Sequence, residues 1–329
     1  MAVATQSEAD AREPASDGPI VYFDGAFMPQ ERATVPIATH ALHYGTGCFE
    51  GIRGYWNADR EELYVLKLDE HVDRFFRSCG VIRIVPPFSR AEMADIVLEL
   101  LRQNRFTSDI YIRPIAFKTT QTIKLTLSSL ADGFAIYAMP FGHYVHREGG
   151  LRACLSSWRR IDDNAIPARA KVTGSYINAA LASDEAGRLG VDEALMLTHD
   201  GNLAEASSAN VFLVRQGRLI TPAVSENILE GITRDAIIEL ARGELGLEVE
   251  ERVVGRTEVY VADEIFLCGT GVQIEPVVEV DGRVIGTGEM GPVTANLQAL
   301  YGAAARSRIP AYSSWCTPVY RSPVLSPGD

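Results

Sequence analysis

Lysine is scarce in this chain: Lys67, Lys118, Lys124 and Lys171 are the only four among 31 basic residues. Chemistry that needs a primary amine therefore has few candidates. Lys171 opens the string Lys171-Val172-Thr173-Gly174-Ser175-Tyr176. Downstream, Glu205 sits in Asn202-Leu203-Ala204-Glu205-Ala206-Ser207-Ser208-Ala209-Asn210. An amine can form a Schiff base with an aldehyde, and a buried acid can keep a ring nitrogen protonated. Together they meet what pyridoxal phosphate (PLP) requires of a protein, because the protonated ring then accepts electrons. Either residue alone carries little, since most lysines are solvated surface charges.

Two glycine- and threonine-containing turns suit an anion. Leu229-Glu230-Gly231-Ile232-Thr233-Arg234-Asp235 ends a loop and opens a helix, where free N–H groups, a glycine and a threonine hydroxyl converge. Gly269-Thr270-Gly271 follows directly on a strand ending at Cys268. The competing readings are an ordinary capped helix and a plain turn. In Tyr111-Ile112-Arg113-Pro114, strand alternation places Tyr111 and Arg113 on one face, where they could position a substrate carboxylate or merely form an exposed polar face. The run Ala41-Leu42-His43-Tyr44-Gly45-Thr46-Gly47-Cys48-Phe49-Glu50-Gly51-Ile52-Arg53 mixes aromatics with glycines. It suits a pocket wall built partly from backbone, or a packed turn in the core. No Walker A string is present, and the glycines at 45, 47 and 51 are wrongly spaced for a dinucleotide fingerprint.

The elements that must carry these residues form two halves. In the first, Asp24-Gly25 between Ile20–Phe23 and Ala26–Met28 signals a hairpin. Asp69 is suited to cap a short helix that reaches Cys79 and contains Arg74. Ser89 and Glu92 form a capping box ahead of an amphipathic helix over Met93–Gln103. Strands are expected over Asp109–Phe117 and Phe134–Met139, and Pro140 to Gly150 reads as a connection. In the second half, strands are expected over 151–158, 193–198, 202–206, 211–215 and 264–268. Helices are expected over 175–189 and 233–245, and Asp281-Gly282 signals another hairpin. Strands that follow one another through short turns favour mixed or antiparallel sheets with outer helices over a doubly wound fold.

Composition sets further bounds. A chain of 329 residues with 47% hydrophobic and 22% charged residues can bury a substantial core in one large domain or two. A formal charge of −12 argues against nucleic acid or an anionic membrane surface as partner. No segment approaches the ~20 apolar residues of a membrane span. Residues 1–18 lack the basic start and apolar stretch of a signal peptide and read as a disordered leader, and the segment from Ser322 reads as a loose tail. Five scattered cysteines without CxxC spacing read as reduced thiols of a cytoplasmic protein, and six histidines without HExxH spacing point to no metal site.

The strings Tyr44-Gly45-Thr46, Phe49-Glu50-Gly51-Ile52-Arg53, Tyr111-Ile112-Arg113-Pro114, Lys171 to Tyr176 and Glu205 to Asn210 occur in a telling order. With Gly231-Ile232-Thr233-Arg234-Asp235 and the Gly269-Thr270 turn before Pro276, they resemble the class IV (fold-type IV) PLP aminotransferases, closest to the branched-chain amino acid aminotransferases. The resemblance covers about Ile20 to Tyr320. It implies a mixed α+β fold: a small N-terminal domain over 19–140, a loop over 141–150, and a larger domain over 151–321 with a barrel-like mixed-sheet core. PLP would sit at the interface of the two. The resemblance further implies that Lys171 bonds the cofactor and moves the Cα proton, Glu205 pairs with the pyridine nitrogen and Tyr176 with the ring oxygen. Arg74, Ile232, Thr233 and Thr270 would hold the phosphate, with Leu229 against the ring. Tyr44, Tyr144, Thr270 and Gly271 would take the substrate α-carboxylate. Phe49, Tyr111 and Phe141 would line the side-chain pocket, with Gly51, Arg53 and Val272 also at the substrate and Arg113 meeting a distal carboxylate.

The implied partners are amino acids and 2-oxo acids, and the implied assembly is at least a homodimer with shared pockets. The implied activity is transfer of the amino group of leucine, isoleucine or valine to 2-oxoglutarate by a ping-pong mechanism. D-Amino acid aminotransferases, (R)-selective amine aminotransferases and aminodeoxychorismate lyases share the fold and are the alternatives. Two departures bear on specificity: Gly271-Val272 stands where many branched-chain enzymes have two alanines, and Lys118 to Asp132 lacks the usual glycine-rich loop.

Overall fold

The computed structural model describes residues 18–142 and 147–321. Its first sheet begins with the expected hairpin: β1 (Ile20–Phe23) and β2 (Ala26–Pro29) pair antiparallel around Asp24 and Gly25, both at positive φ. There follow α1 (His40–Tyr44), β3 (Gly47–Phe49), β4 (Ile52–Asn57), β5 (Glu62–Leu66), α2 (Leu68–Val81), α3 (Arg90–Asn104), β6 (Ile110–Lys118) and β7 (Asp132–Pro140). The second half runs β8 (Leu151–Arg159), α4 (Tyr176–Arg188), β9 (Glu193–Leu197), β10 (Leu203–Ala206), β11 (Asn210–Arg215), β12 (Arg218–Pro222), α5 (Ile232–Gly243) and β13 (Val249–Arg252). It closes with β14 (Glu264–Gly269), β15 (Gln273–Val280), β16 (Arg283–Val284), α6 (Pro292–Ala305) and β17 (Cys316–Pro318).

The first sheet is antiparallel throughout, in the order β17-β5-β4-β6-β7-β1-β2 with β3 paired to β6. Helices α2 and α3 cover it and bury Val72, Phe75, Met93, Val97 and Leu100 against Ile52, Ile110 and Ile112. The second sheet runs β10-β9-β8-β15-β14-β11-β12-β13 and is mixed: β8 is parallel to β9 and β15, and β12 to β13, while its other pairs are antiparallel. It curls around a core of Leu195, Leu203, Val211, Leu213 and Leu267. Helices α5 and α6 pack on its other face through Ile237, Leu240, Leu297 and Tyr301. The last strand returns to β5 of the first sheet, so the chain crosses between the sheets twice.

Local signals and tertiary contacts divide the credit for the helix starts. At α3 the capping box is complete: the Glu92 N–H donates to Ser89 Oγ and the Ser89 N–H to Glu92 Oε2, at 3.2 and 2.7 Å. At α2 the expectation of an Asp69 cap is corrected. The capping position is Lys67, in the left-handed region at φ 48°, with Asp69 inside the first turn. Lys67 is held there by tertiary contacts, its N–H 2.6 Å from the Trp315 carbonyl and its ammonium 4.2 Å from the Trp315 ring centre. Helix α6, which the sequence reading did not single out, takes its cap from a distant strand. The buried Glu264 carboxylate accepts from the Val293 and Thr294 N–H groups and the Thr294 hydroxyl. Because the α3 cap is exposed and local, Ser89→Ala is expected to lower unfolding free energy by about 1 kcal/mol in a denaturant titration. An unchanged midpoint would show the box to be idle.

Candidate active site

A cavity of about 330 Å³ opens between the two sheets. Lys171 enters it from the segment between β8 and α4. Its carbonyl accepts from the Phe49 N–H at 3.1 Å, its N–H donates to Ser78 Oγ at 3.1 Å, and Val172 bridges to Cys48. The backbone is thus pinned between β3 and α2, and the amine points into the cavity. Nζ stands 5.2 Å from the Phe49 ring centre and 5.4 Å from that of Tyr176. Five residues on, Tyr176 starts α4 and faces the same space, its ring 4.7 Å from Phe49.

Glu205 lines the cavity from β10 and is 5% exposed. Arg160 Nη2 lies 2.8 Å from Oε1, while Asn210 Nδ2 and the Leu229 N–H donate to Oε2 at 2.9 and 3.2 Å. Burial pushes the carboxyl above its ordinary range, with the Arg160 charge and the Leu229 N–H opposing it. A carboxylate offers about four lone-pair positions. The three donors leave one for a group in the cavity.

The anion end lies opposite. Helix α5 starts at Ile232 with no side-chain cap, so its first N–H groups are available to a ligand. Gly231 is required at the cap, since a Cβ there would collide with Asn210 Oδ1. Ile232, Thr233, Thr270 and Arg74 line this end, with Leu229 beside them. Arg74 is buried on α2 and forks onto Glu50, Nε to Oε1 at 2.7 Å and Nη2 to Oε2 at 2.8 Å. His71 Nδ1 lies 2.9 Å from the same Oε2. Burial alone would raise the Glu50 pKa, but Arg74 and His71 hold it well below the usual carboxylate range.

The third wall comes from the first sheet. Phe49 and Gly51 face the cavity from the extended run between β3 and β4, and Tyr111 and Arg113 face it from β6. Arg113 Nη2 donates to the Tyr111 hydroxyl at 3.0 Å, and its Cζ lies 4.3 Å from the Phe49 ring centre. Its buried Nε has no hydrogen-bond partner among the described residues. Phe141, Gly271 and Val272 complete the wall, with Tyr111 and Phe141 rings 5.1 Å apart.

Two residues expected at the substrate stand elsewhere in this chain. Tyr44 is 38% exposed outside the cavity, its hydroxyl donating to the Ile123 carbonyl. Arg53 is buried behind the wall, where Nη1 donates to the Gly271 carbonyl and Nη2 to those of Phe141 and Gly142. It thus holds two wall loops in place of a ligand. Tyr144 lies outside the described residues. The sequence reading missed Arg160, Asn210, Tyr137 and Met139, all in the lining. Tyr137 and Met139 were recoverable, because β7 pairs them with Arg113 and Tyr111 across the ladder. Arg160 carries no local signature.

The donor set fits PLP: a bare helix terminus with Arg74 and two threonines for the phosphate, a buried acid with one acceptor position open, and an amine between. Comparison with known proteins agrees. A model of the class IV amino-transferase family matches residues 47–280. The chain is 46% identical over 299 residues to a probable branched-chain-amino-acid aminotransferase of Aquifex aeolicus, covering 91% of this chain and 96% of that protein. Among solved structures, the branched-chain aminotransferase of Thermoproteus uzoniensis with norvaline superposes with a TM-score of 0.88 at 41% identity, covering 92% of this chain and 99% of that one. The PLP-form of the branched-chain amino acid aminotransferase of Thermobaculum terrenum also gives 0.88, at 39% identity with coverage of 92% and 99%.

The Arg160–Glu205 pair yields a pH prediction. An acid that must be ionised loses function as pH falls through its pKa, and removing Arg160 removes the charge that opposes burial. Arg160→Met is therefore expected to move the acid limb of the kcat/KM profile upward by about one pH unit or more. A limb that stays in place would detach Arg160 from the acid's ionisation.

Proposed function

The chain belongs to the class IV aminotransferases, and from that premise we propose that it transaminates branched-chain L-amino acids with 2-oxoglutarate. PLP, when bound, supplies an aldehyde carbon and a protonated ring that delocalises the electrons left on loss of the Cα proton. The protein does the rest. The Lys171 amine would take that proton and deliver it again, Glu205 would keep the ring nitrogen protonated, and the Tyr176 hydroxyl would donate to the ring oxygen. Arg74, the first N–H groups of α5, Thr233 and Thr270 bind the phosphate. Phe49, Tyr111, Met139 and Phe141 exclude water from the reacting carbon.

One observation carries the substrate reading. The Arg113 guanidinium lies over the Phe49 ring, with Tyr111 beside it and Nε without a hydrogen-bond partner among the described residues. An aliphatic side chain meets the ring surfaces there, and the distal carboxylate of glutamate meets the cation. Ping-pong transamination requires both in turn. The norvaline bound in the Thermoproteus uzoniensis structure is an unbranched aliphatic amino acid and supports the apolar half.

We also propose a homodimer with shared pockets. Leu42, Tyr44, Ile123 and Leu125 are exposed on α1 and the neighbouring 119–131 loop, a grouping that favours burial against a second copy. Tyr44 would then reach the partner's substrate. The division into units over 19–140 and 151–321 joined at 141–150 is part of the same reading, with β17 as the strand that crosses back. A cytoplasmic setting fits five buried, unpaired cysteines and the absence, among the described residues, of any helix long and apolar enough to cross a membrane.

The activity is tested with a donor panel against 2-oxoglutarate. L-Leucine, L-isoleucine and L-valine are expected to exceed D-alanine and (R)-1-phenylethylamine by roughly 100-fold or more in kcat/KM, a margin of about 2.8 kcal/mol in the transition state. Turnover confined to D-alanine would reverse the assignment. For the assembly, sedimentation is expected to give a dimer, and Ile123→Asp to shift it towards monomer with weakened substrate use. A wild-type monomer with full activity would remove the shared-pocket reading.

A further inference from the structure

Glu50 belongs to the cavity wall in sequence but not in space. Its neighbours Phe49 and Gly51 line the cavity, while its own side chain, fully buried, turns away onto α2. There it accepts the Arg74 fork through both oxygens, with His71, one turn earlier on the same helix, on Oε2. Arg74 Nη1 donates to the Glu230 carbonyl at 2.9 Å, directly before the Gly231 cap of α5. A guanidinium has five N–H donors in a fixed plane. Three are engaged by Glu50 and Glu230. The two that remain, one on each terminal nitrogen, are fixed in direction beside the bare helix terminus.

We propose that Glu50 is a positioning residue for the cofactor phosphate: it aims Arg74 and thereby sets how strongly the protein prefers phosphorylated to unphosphorylated pyridoxal. The inference rests on reading the cavity as a PLP site with Arg74 at the phosphate. Two effects oppose each other. The carboxylate offsets part of the Arg74 charge, which weakens attraction for an anion. It also removes the rotational freedom of a long side chain and leaves only productive donors free, which strengthens it. In a buried site, where a misdirected guanidinium leaves N–H groups unsatisfied, direction outweighs charge. His71, whose pKa burial pushes down against the pull of Glu50, adds a further donor to that carboxylate.

The test measures a ratio. Full-length protein stripped of cofactor is titrated with PLP and with pyridoxal, followed by absorbance, and the two dissociation constants are compared. Arg74→Met is expected to abolish most of the preference for PLP. Glu50→Gln is expected to reduce that preference about tenfold or more while leaving pyridoxal affinity within a few-fold of wild type. Glu50→Asp, which keeps the charge but withdraws the carboxylate by one methylene, is expected to reduce it too, and it serves where Glu50→Gln does not fold. If Arg74→Met loses the preference and neither Glu50 variant does, the proposal is wrong. It is equally wrong if both ligands weaken together or the preference rises. If Arg74→Met itself keeps the preference, the phosphate reading fails first.

Discussion

A carboxylate carried into a dry cavity must have its charge matched, and the arrangement of this protein follows from how that is done. Glu205 is almost fully buried, and desolvation drives it towards neutrality. Its three donors come from separate places: Arg160 just past β8, Asn210 at the start of β11 and the Leu229 N–H in the loop before α5. The acid is therefore stable as an anion only when these parts are assembled around it. The same loop then presents Gly231 and the bare start of α5, so charge compensation at one end of the cavity fixes the anion site at the other. Removing a partner from such a pair is costly, because it leaves a buried charge alone.

The two sheets divide the chemistry between them. The second sheet and its loops supply Glu205, the α5 terminus and the Thr270 turn, which suit a ring and a phosphate under the proposed function. The first supplies Phe49, Tyr111 and Arg113, which suit a substrate side chain. Lys171 belongs to neither sheet. Its carbonyl and N–H are tied to Phe49 and Ser78 of the first half, while Tyr176 and α4 run on from it to pack against β8 and β9. Glu50 and Arg74 tie the halves together again through the Glu230 carbonyl. The cavity is thus where the halves meet, and neither half contains a site alone.

What the sequence made legible was local or repeated. The Asp24-Gly25 hairpin, the Ser89/Glu92 box and the Tyr111/Arg113 face each depend on residues a few positions apart, and each stands in the structure as read. What escaped depends on distant partners. The resemblance implies Arg53 at the substrate, yet its guanidinium goes to carbonyls at 141, 142 and 271. Arg160 meets an acid 45 positions away, and nothing near it announces that. The start of α2 was placed at Asp69 by propensity, and a Trp315 contact from the far end of the chain overrode it. Tyr44 faces outward on a short helix, a matter of orientation that its motif does not encode.

Under the proposed function, the wall around Arg113 must serve unlike side chains. Arg113 is half-buried and has no carboxylate partner among the described residues; aromatic faces and one hydroxyl surround it in place of a counter-ion. Tyr111 accepts from the guanidinium, and Gly51 leaves room for its hydroxyl, since a methyl at that position would collide with it. An aliphatic side chain finds ring surfaces and the flat face of the guanidinium, neither of which demands a hydrogen bond. A carboxylate finds the cation, with an unpartnered Nε in reserve. Because the compensation is by rings and not by an acid, the incoming carboxylate displaces no existing partner. Under the proposed function, the same atoms would meet an apolar donor and an acidic acceptor on alternate half-reactions.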